Sequence, residues 1–370
     1  MGGRTRYSYE PDYAVPPGKT LLETIESLGM TQRELGARTG LTPVSVARII
    51  GGDQPITYET ANKLELATGV PARFWNNLEA QFQERKAKID EREQMRADLD
   101  WLRCIPVNEL QSRGIVGDHK DKVLVLRDVL AFYGVSSVEA WHEIWETPEV
   151  AARRSKCFET APGPTSAWIR QGELKAHSTA CADFNKPRFV AALKTIRSLT
   201  KEQPSVFEPE MKKLCAASGV AVALVREMKK VPWSGATRWL SPDKAMILLS
   251  LRGKGEDKFW FSFFHEAGHV LLHSKKDLYI DDGEAEDERE KEANAFAAEL
   301  LVPHTFNSEI RACKSKAAVE AIAHKLDVSP GIVAGRYQFL TKKWTHFNEL
   351  IRRWNWRPTE SSRKGLPHYA

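Results

Sequence analysis

Residues 265–269 read His-Glu-Ala-Gly-His, directly after the apolar run Phe259-Trp260-Phe261-Ser262-Phe263-Phe264. Residues four apart on a helix share one face, about 6 Å apart along the axis. Two imidazoles at that spacing can converge on one metal ion, with Glu266 near the same opening. The segment carries helical apolar periodicity, because Phe261, Phe264, Val270, Leu271 and Leu272 can pack behind the histidine face. Gly268 sits between the histidines, where glycine costs roughly 1 kcal/mol in a helix interior. A small residue there is accounted for if another backbone or a substrate comes close.

Downstream, residues 288–303 read as a second helix, Ala-rich and closed by Pro303. Its expected apolar face is Ala293, Phe296, Ala297 and Leu300, at i, i+3, i+4 and i+7. Glu292 lies one turn below Phe296 at the edge of that face. Glu288 and Glu290 are expected further round toward solvent. Two His with one Glu is a known donor set for a catalytic zinc ion, so Glu292 is the expected third ligand beside His265 and His269. Glu266 is the expected general base.

The pair HEAGHVLLH and EKEANAFAAELLVP resembles the ImmA/IrrE family of metallopeptidases over roughly residues 206–340. That likeness implies Zn2+ as cofactor, His265, His269 and Glu292 as ligands, and Glu266 as base. It further implies a transcriptional repressor-type protein as substrate. His273 matches the trailing histidine of the family pattern and is expected beside the ligands or packed. Peptide hydrolysis also needs a donor for the oxyanion, and Tyr279, His304 and Tyr337 are candidates.

A second informative stretch precedes it. Leu21, Leu22, Ile25 and Leu28 form a short amphipathic pattern ended by Gly29. Thr31 with Glu34 makes a capping box for a helix that stops at Gly40. Thr42 caps the next helix, with Pro43 at its first position. That spacing suits a helix–turn–helix whose second helix enters the DNA major groove. Val46, Ile49 and Ile50 are expected in the core, leaving Thr42, Val44, Ser45 and Arg48, with Arg33 and Arg38, to face DNA. Residues 55–78, ending in Phe74-Trp75-Asn76-Asn77-Leu78, resemble the XRE-type module and especially HigA-like antitoxins. Such modules often dimerise, so a homodimer is an expected assembly. Over residues 1–80, eight Lys/Arg stand against nine Asp/Glu, so any DNA-binding charge must be a local patch.

The fold class expected is α+β and mostly helical. It comprises an all-α domain at 17–82, a helical spacer or sensor region at 83–205, a zincin-like domain with a small twisted sheet at 206–340, and a basic Trp-containing tail at 341–370. Apolar runs at 220–225 and 245–251 read as strands, with a third near 236–240 expected at an edge open to substrate. Residues 317–336 read as two helices around a turn. Trp141 and Trp145, four apart, suit a shared core face. Turn signals fall at Pro148 and at 161–164.

Charge is uneven. Residues 281–292 hold eight acids and two bases, expected as a solvated loop. Residues 341–370 hold seven Lys/Arg and two acids, with Trp344, Trp354 and Trp356 interleaved. No run of 18 apolar residues and no apolar leader are present, so no membrane span or export is expected. The five cysteines Cys104, Cys157, Cys181, Cys215 and Cys313 lack CxxC spacing and read as free thiols of a reducing, cytoplasmic compartment. The functional expectation is a zinc endopeptidase that cleaves a repressor-type regulator, with its first domain on double-stranded DNA or a partner. The alternative is a DNA-binding antitoxin or autorepressor whose metallopeptidase-like domain acts only as a sensor or partner-binding domain. A pure sensor needs no general base, which favours the enzyme.

Overall fold

The computed structural model describes residues 13–146, 161–273, 278–280 and 288–356, the segment 278–280 by its backbone. Cys157, Pro148, the side chain of Tyr279 and the acidic residues 281–287 lie outside the described residues. The chain forms two compact units, Met1–Leu99 and Asp100–Ala370.

The first unit contains α1 (Pro17–Ser27), α2 (Gln32–Thr39), α3 (Pro43–Gly51), α4 (Tyr58–Thr68) and α5 (Ala72–Ala97). Threonine caps set three of the starts. The side-chain oxygens of Thr31, Thr42 and Thr57 accept the N–H groups of Glu34, Ser45 and Thr60 at 3.2, 3.1 and 3.2 Å. Caps of this kind contribute about 1 kcal/mol each. Between α2 and α3 the chain turns through Gly40 at φ 69°, a left-handed conformation that glycine adopts without steric penalty. Leu21, Ile25, Leu35, Val46, Ile49, Leu64 and Trp75 close the core. The 26 residues of α5 run on past residue 82 as one charged helix, so this unit ends at Leu99.

The second unit is built on a four-stranded sheet of order β1-β3-β2-β4, with β1 (Val220–Leu224), β2 (Gly235–Ser241), β3 (Lys244–Leu249) and β4 (Leu278–Ile280). β1 runs parallel to β3, and β2 runs antiparallel to both β3 and β4. Its helices are α6 (Val107–Ser112), α7 (Lys122–Tyr133), α8 (Val138–Trp145), α9 (Pro162–His177), α10 (Lys186–Ser198), α11 (Pro204–Ala216), α12 (Glu256–Leu272), α13 (Glu288–Leu301), α14 (Asn307–Arg311), α15 (Lys316–Leu326) and α16 (Pro330–Thr341). Both faces of β1 and β3 are buried, which suits their unbroken apolar runs.

Alternation along the strands assigns the faces. Val220, Val222, Ala245, Ile247 and Leu249 join the core formed with α10, α11, α12, α15 and α16. Leu248 lies on the other face, against Gly172 of α9. Around α7 and α8, Trp101, Tyr133, Trp141 and Trp145 pack edge to face, with Tyr133 and Trp141 centroids 5.8 Å apart.

Two expectations change. The strand at 235–241 is not an edge, since β3 and β4 pair with it on either side at Ala236, Thr237 and Arg238. The partner β4 follows the long helix α12, a non-local pairing that local patterning does not reveal. The segment after α16 is also less tail-like than its charge suggests. Trp354 is buried against Phe207, Phe259 and Trp260, and Arg352 binds the fully buried Glu256 at the start of α12. The Trp356 indole N–H donates to Glu227 at 2.9 Å. Among the described residues no helix is long and apolar enough to cross a membrane.

Candidate metal centre

α12 presents His265, Glu266 and His269 fully buried, one turn apart and beside β2 and α13. α13 lies close because the contact is made by small residues. A Cβ on Gly268 would stand 3.2 Å from the Ala293 Cα and 3.2 Å from the Phe296 ring. The close approach inferred for Gly268 is therefore to a second helix.

Through this contact Glu290 reaches both histidines. Its Oε2 lies 3.2 Å from His265 Nε2 and its Oε1 3.2 Å from His269 Nε2. The two Nε2 atoms are 3.0 Å apart. One donor atom from each of the three residues falls within 4.8 Å of the others. Burial raises the Glu290 carboxyl, but the adjoining His265 and His269 outweigh it and lower its pKa to about 2. Burial lowers the pKa of the His269 imidazole, although the Glu290 carboxylate opposes the shift. A carboxylate with two imidazoles is a donor set that suits Zn2+.

Glu292 does not take the expected place. It is half exposed and its Oε2 pairs with His273 Nε2 at 3.1 Å. The reason is helical phase. The buried positions of α13 are Glu290, Ala293, Ala297 and Leu301, while Phe296 and Leu300 are only half-buried. The inward stripe is thus rotated from the one anticipated, and Glu290, placed toward solvent in the sequence analysis, heads it. The i, i+3, i+7 series from Glu290 through Ala293 to Ala297 was the signal available, and the large Phe296 and Leu300 obscured it.

Further side chains surround the cluster. The Thr237 hydroxyl donates to Glu266 Oε2 at 2.6 Å, and lies 3.1 Å from the Glu266 carbonyl. A Cβ on Gly235 would fall 2.4 Å from Glu266 Oε1, so the carboxylate occupies the space a side chain would need. Asn294 Oδ1 meets His265 Nδ1 at 3.0 Å, and His273 Nδ1 meets His269 Nδ1 at 2.9 Å. Thr237, Gly235 and Asn294 were not foreseen. Strand alternation groups 235 and 237 on one face, but nothing local shows which helix that face meets.

The three oxyanion candidates separate. β4 sets Tyr279 opposite Thr237 in the strand register. Tyr337 is buried in the core with its ring against His346 and Phe347. His304 is exposed and bound to Glu299 through both its backbone N–H and its ring.

In the first unit, α3 turns Val46 and Ile49 inward and leaves Thr42, Pro43, Val44, Ala47 and Arg48 exposed, with Ser45 half-buried. Thr42 and Ser45 are tied to each other at the cap, hydroxyl to hydroxyl at 3.0 Å. Arg33 is exposed on α2, and Arg38 pairs with Glu34 at 2.6 Å on its surface.

Family models match the chain twice. A helix-turn-helix model covers residues 21–75, from α1 through Trp75. An IrrE N-terminal-like domain model of peptidase family M78 covers residues 223–337, which takes in β2, β3 and β4, His265, Glu266, His269 and Glu290. No curated protein matches the chain. The chain is thus a fusion of a helix-turn-helix domain with an IrrE N-terminal-like domain of peptidase family M78.

Proposed function

We propose that this protein is a zinc-dependent endopeptidase that cleaves a repressor-type transcriptional regulator, and that its first domain binds double-stranded DNA or docks a partner. The observation that carries the proposal is the meeting of His265, His269 and Glu290 beside a buried Glu266. When bound there, a zinc ion lowers the pKa of a water toward neutrality and polarises a peptide carbonyl. Glu266 would take the proton of the attacking water and pass it to the leaving amine. Thr237 fixes one carboxylate oxygen, and the missing side chain at Gly235 leaves room for the other. Tyr279, whose backbone pairs opposite Thr237 in the strand register, is the oxyanion candidate we carry forward. The likeness to the IrrE-type domain and the helix-turn-helix domain on the same chain support a repressor-type substrate. On that domain the exposed Arg33, Arg38, Arg48, Thr42 and Val44, with the half-buried Ser45, form the face offered to DNA.

The test is incubation of the zinc-loaded protein with repressor-type regulators of its source genome, read by mass spectrometry of the fragments. The parent cleaves the repressor, Glu266→Gln keeps zinc and loses cleavage, and a chelator abolishes cleavage. A Glu266→Gln variant as fast as the parent overturns the role of Glu266. A zinc-bound parent that cleaves no regulator replaces the enzyme with the sensor alternative.

A further inference from the structure

Glu292 and His273 form a chain that ends on His269. Glu292 Oε2 lies 3.1 Å from His273 Nε2, and His273 Nδ1 lies 2.9 Å from His269 Nδ1. A carboxylate can only accept, so His273 Nε2 must donate the proton. With its one proton on Nε2, His273 offers the lone pair of Nδ1 to His269 Nδ1–H at 2.9 Å. His269 is left with its lone pair on Nε2, the atom that faces Glu290 and His265. The second histidine is set in the same sense by a different group. Asn294 Oδ1 accepts from His265 Nδ1–H at 3.0 Å, which leaves the His265 lone pair on Nε2. Two bare nitrogens and a carboxylate now face one point from 3.0–3.2 Å apart. Three electron-rich groups so close repel one another unless a cation sits among them.

We infer that Glu292, His273 and Asn294 are positioning residues that lock both ligand histidines in the Nδ1–H tautomer and so preload the site for a divalent cation. This rests on the proposal of a zinc site at His265, His269 and Glu290, and it gives Glu292 a role that its exposure alone would not suggest. The asymmetry of the two arms is informative. Asn294 acts on His265 directly from α13, one turn beyond Glu290, so the helix that brings the carboxylate also sets the tautomer. His273 acts on His269 from the C-terminal end of α12 and is itself set by α13 through Glu292. The groups that meet both ligand Nδ1 atoms are therefore brought there by the packing of these two helices. Loss of a group that orients a metal-binding histidine typically weakens metal binding 10–100-fold.

The experiment is zinc affinity, measured by competition with a chromophoric chelator on the full-length apo-protein, with apo-protein thermal midpoints alongside. His273→Phe removes the acceptor and is expected to weaken zinc binding about 10–100-fold. Glu292→Lys cannot accept a proton, favours the opposite His273 tautomer, and is expected to weaken binding by at least about tenfold. Glu292→Gln still offers a carbonyl acceptor and is expected to stay within about threefold of the parent. Asn294→Asp keeps an acceptor and retains affinity, whereas Asn294→Leu loses it. Because Glu292 is on the surface, its variants keep the apo midpoint and remain informative if His273→Phe fails to fold. Glu292→Lys within twofold of the parent overturns the inference and leaves the peptidase proposal standing. A parent with no zinc affinity overturns both.

Discussion

Glu266 is held in a space that tolerates no extra atom. Thr237 grips one carboxylate oxygen at 2.6 Å, and the other would touch any side chain at position 235 within 2.4 Å. Gly235→Ala must therefore displace the carboxylate, while the donors of the metal cluster sit on other residues. A misplacement of about 1 Å at a reacting group costs on the order of 100-fold in rate. We expect Gly235→Ala to lower cleavage by roughly that factor with zinc affinity within twofold of the parent, and a variant of unaltered rate would show that Glu266 does not depend on this contact. The histidines and Glu266 were legible from spacing alone, because a helix fixes which residues share a turn. The third donor was not, because two glutamates two residues apart differ by half the helix circumference, and only the identity of the neighbouring helix decides which one is inside. Burial of Ala293 and Ala297, rather than of Phe296 and Leu300, settles it for Glu290.

At the scale of elements, the candidate metal centre is the crossing of α12 and α13. The crossing is close because Gly268 faces Ala293, with no room for a branched side chain between them. Inserting extra carbon atoms at a packed contact costs about 1–3 kcal/mol and shifts the backbone. Gly268→Val should part the helices and draw Glu290 from the histidines. Zinc affinity should fall at least about tenfold, as expected when one donor is displaced, and isothermal titration would read the loss. An unchanged affinity would mean that the donors come together by another route than this crossing. Helix starts, caps and stops were readable in the sequence since they rest on local groups such as Thr31, Thr42 and Gly40. Strand order was not, because β2 obtains its second partner from beyond α12. The same alternation that turns Thr237 toward Glu266 turns Arg238 to the opposite face, where it binds the buried Glu173 of α9. One strand thus joins the helices of the central region to Glu266, a connection that composition and periodicity leave hidden.

At the scale of the whole molecule, each unit carries its own core. In the first, Leu35, Leu64 and Trp75 are fully buried within residues 17–78. In the second, sheet, α12 and the Trp354 segment share a separate core. Domains with their own cores unfold as separate cooperative steps. A ligand that binds one folded unit stabilises that unit alone, by about 2.7 kcal/mol at a hundredfold excess over its dissociation constant. For a domain of the second unit's size this corresponds to roughly 5–11 °C in midpoint. Calorimetry of the full chain should therefore show two transitions. Zinc should move only the one that belongs to residues 100–370, and a chelator should reverse the shift. The other transition should match that of the isolated residues 1–99. It should instead respond to double-stranded DNA, with a response that fades as salt rises, since phosphate contacts release counterions. A single transition, or a zinc shift shared by both, would mean that the two units fold as one, and the helix-turn-helix domain would then have to be read as part of the metallopeptidase rather than as its independent partner.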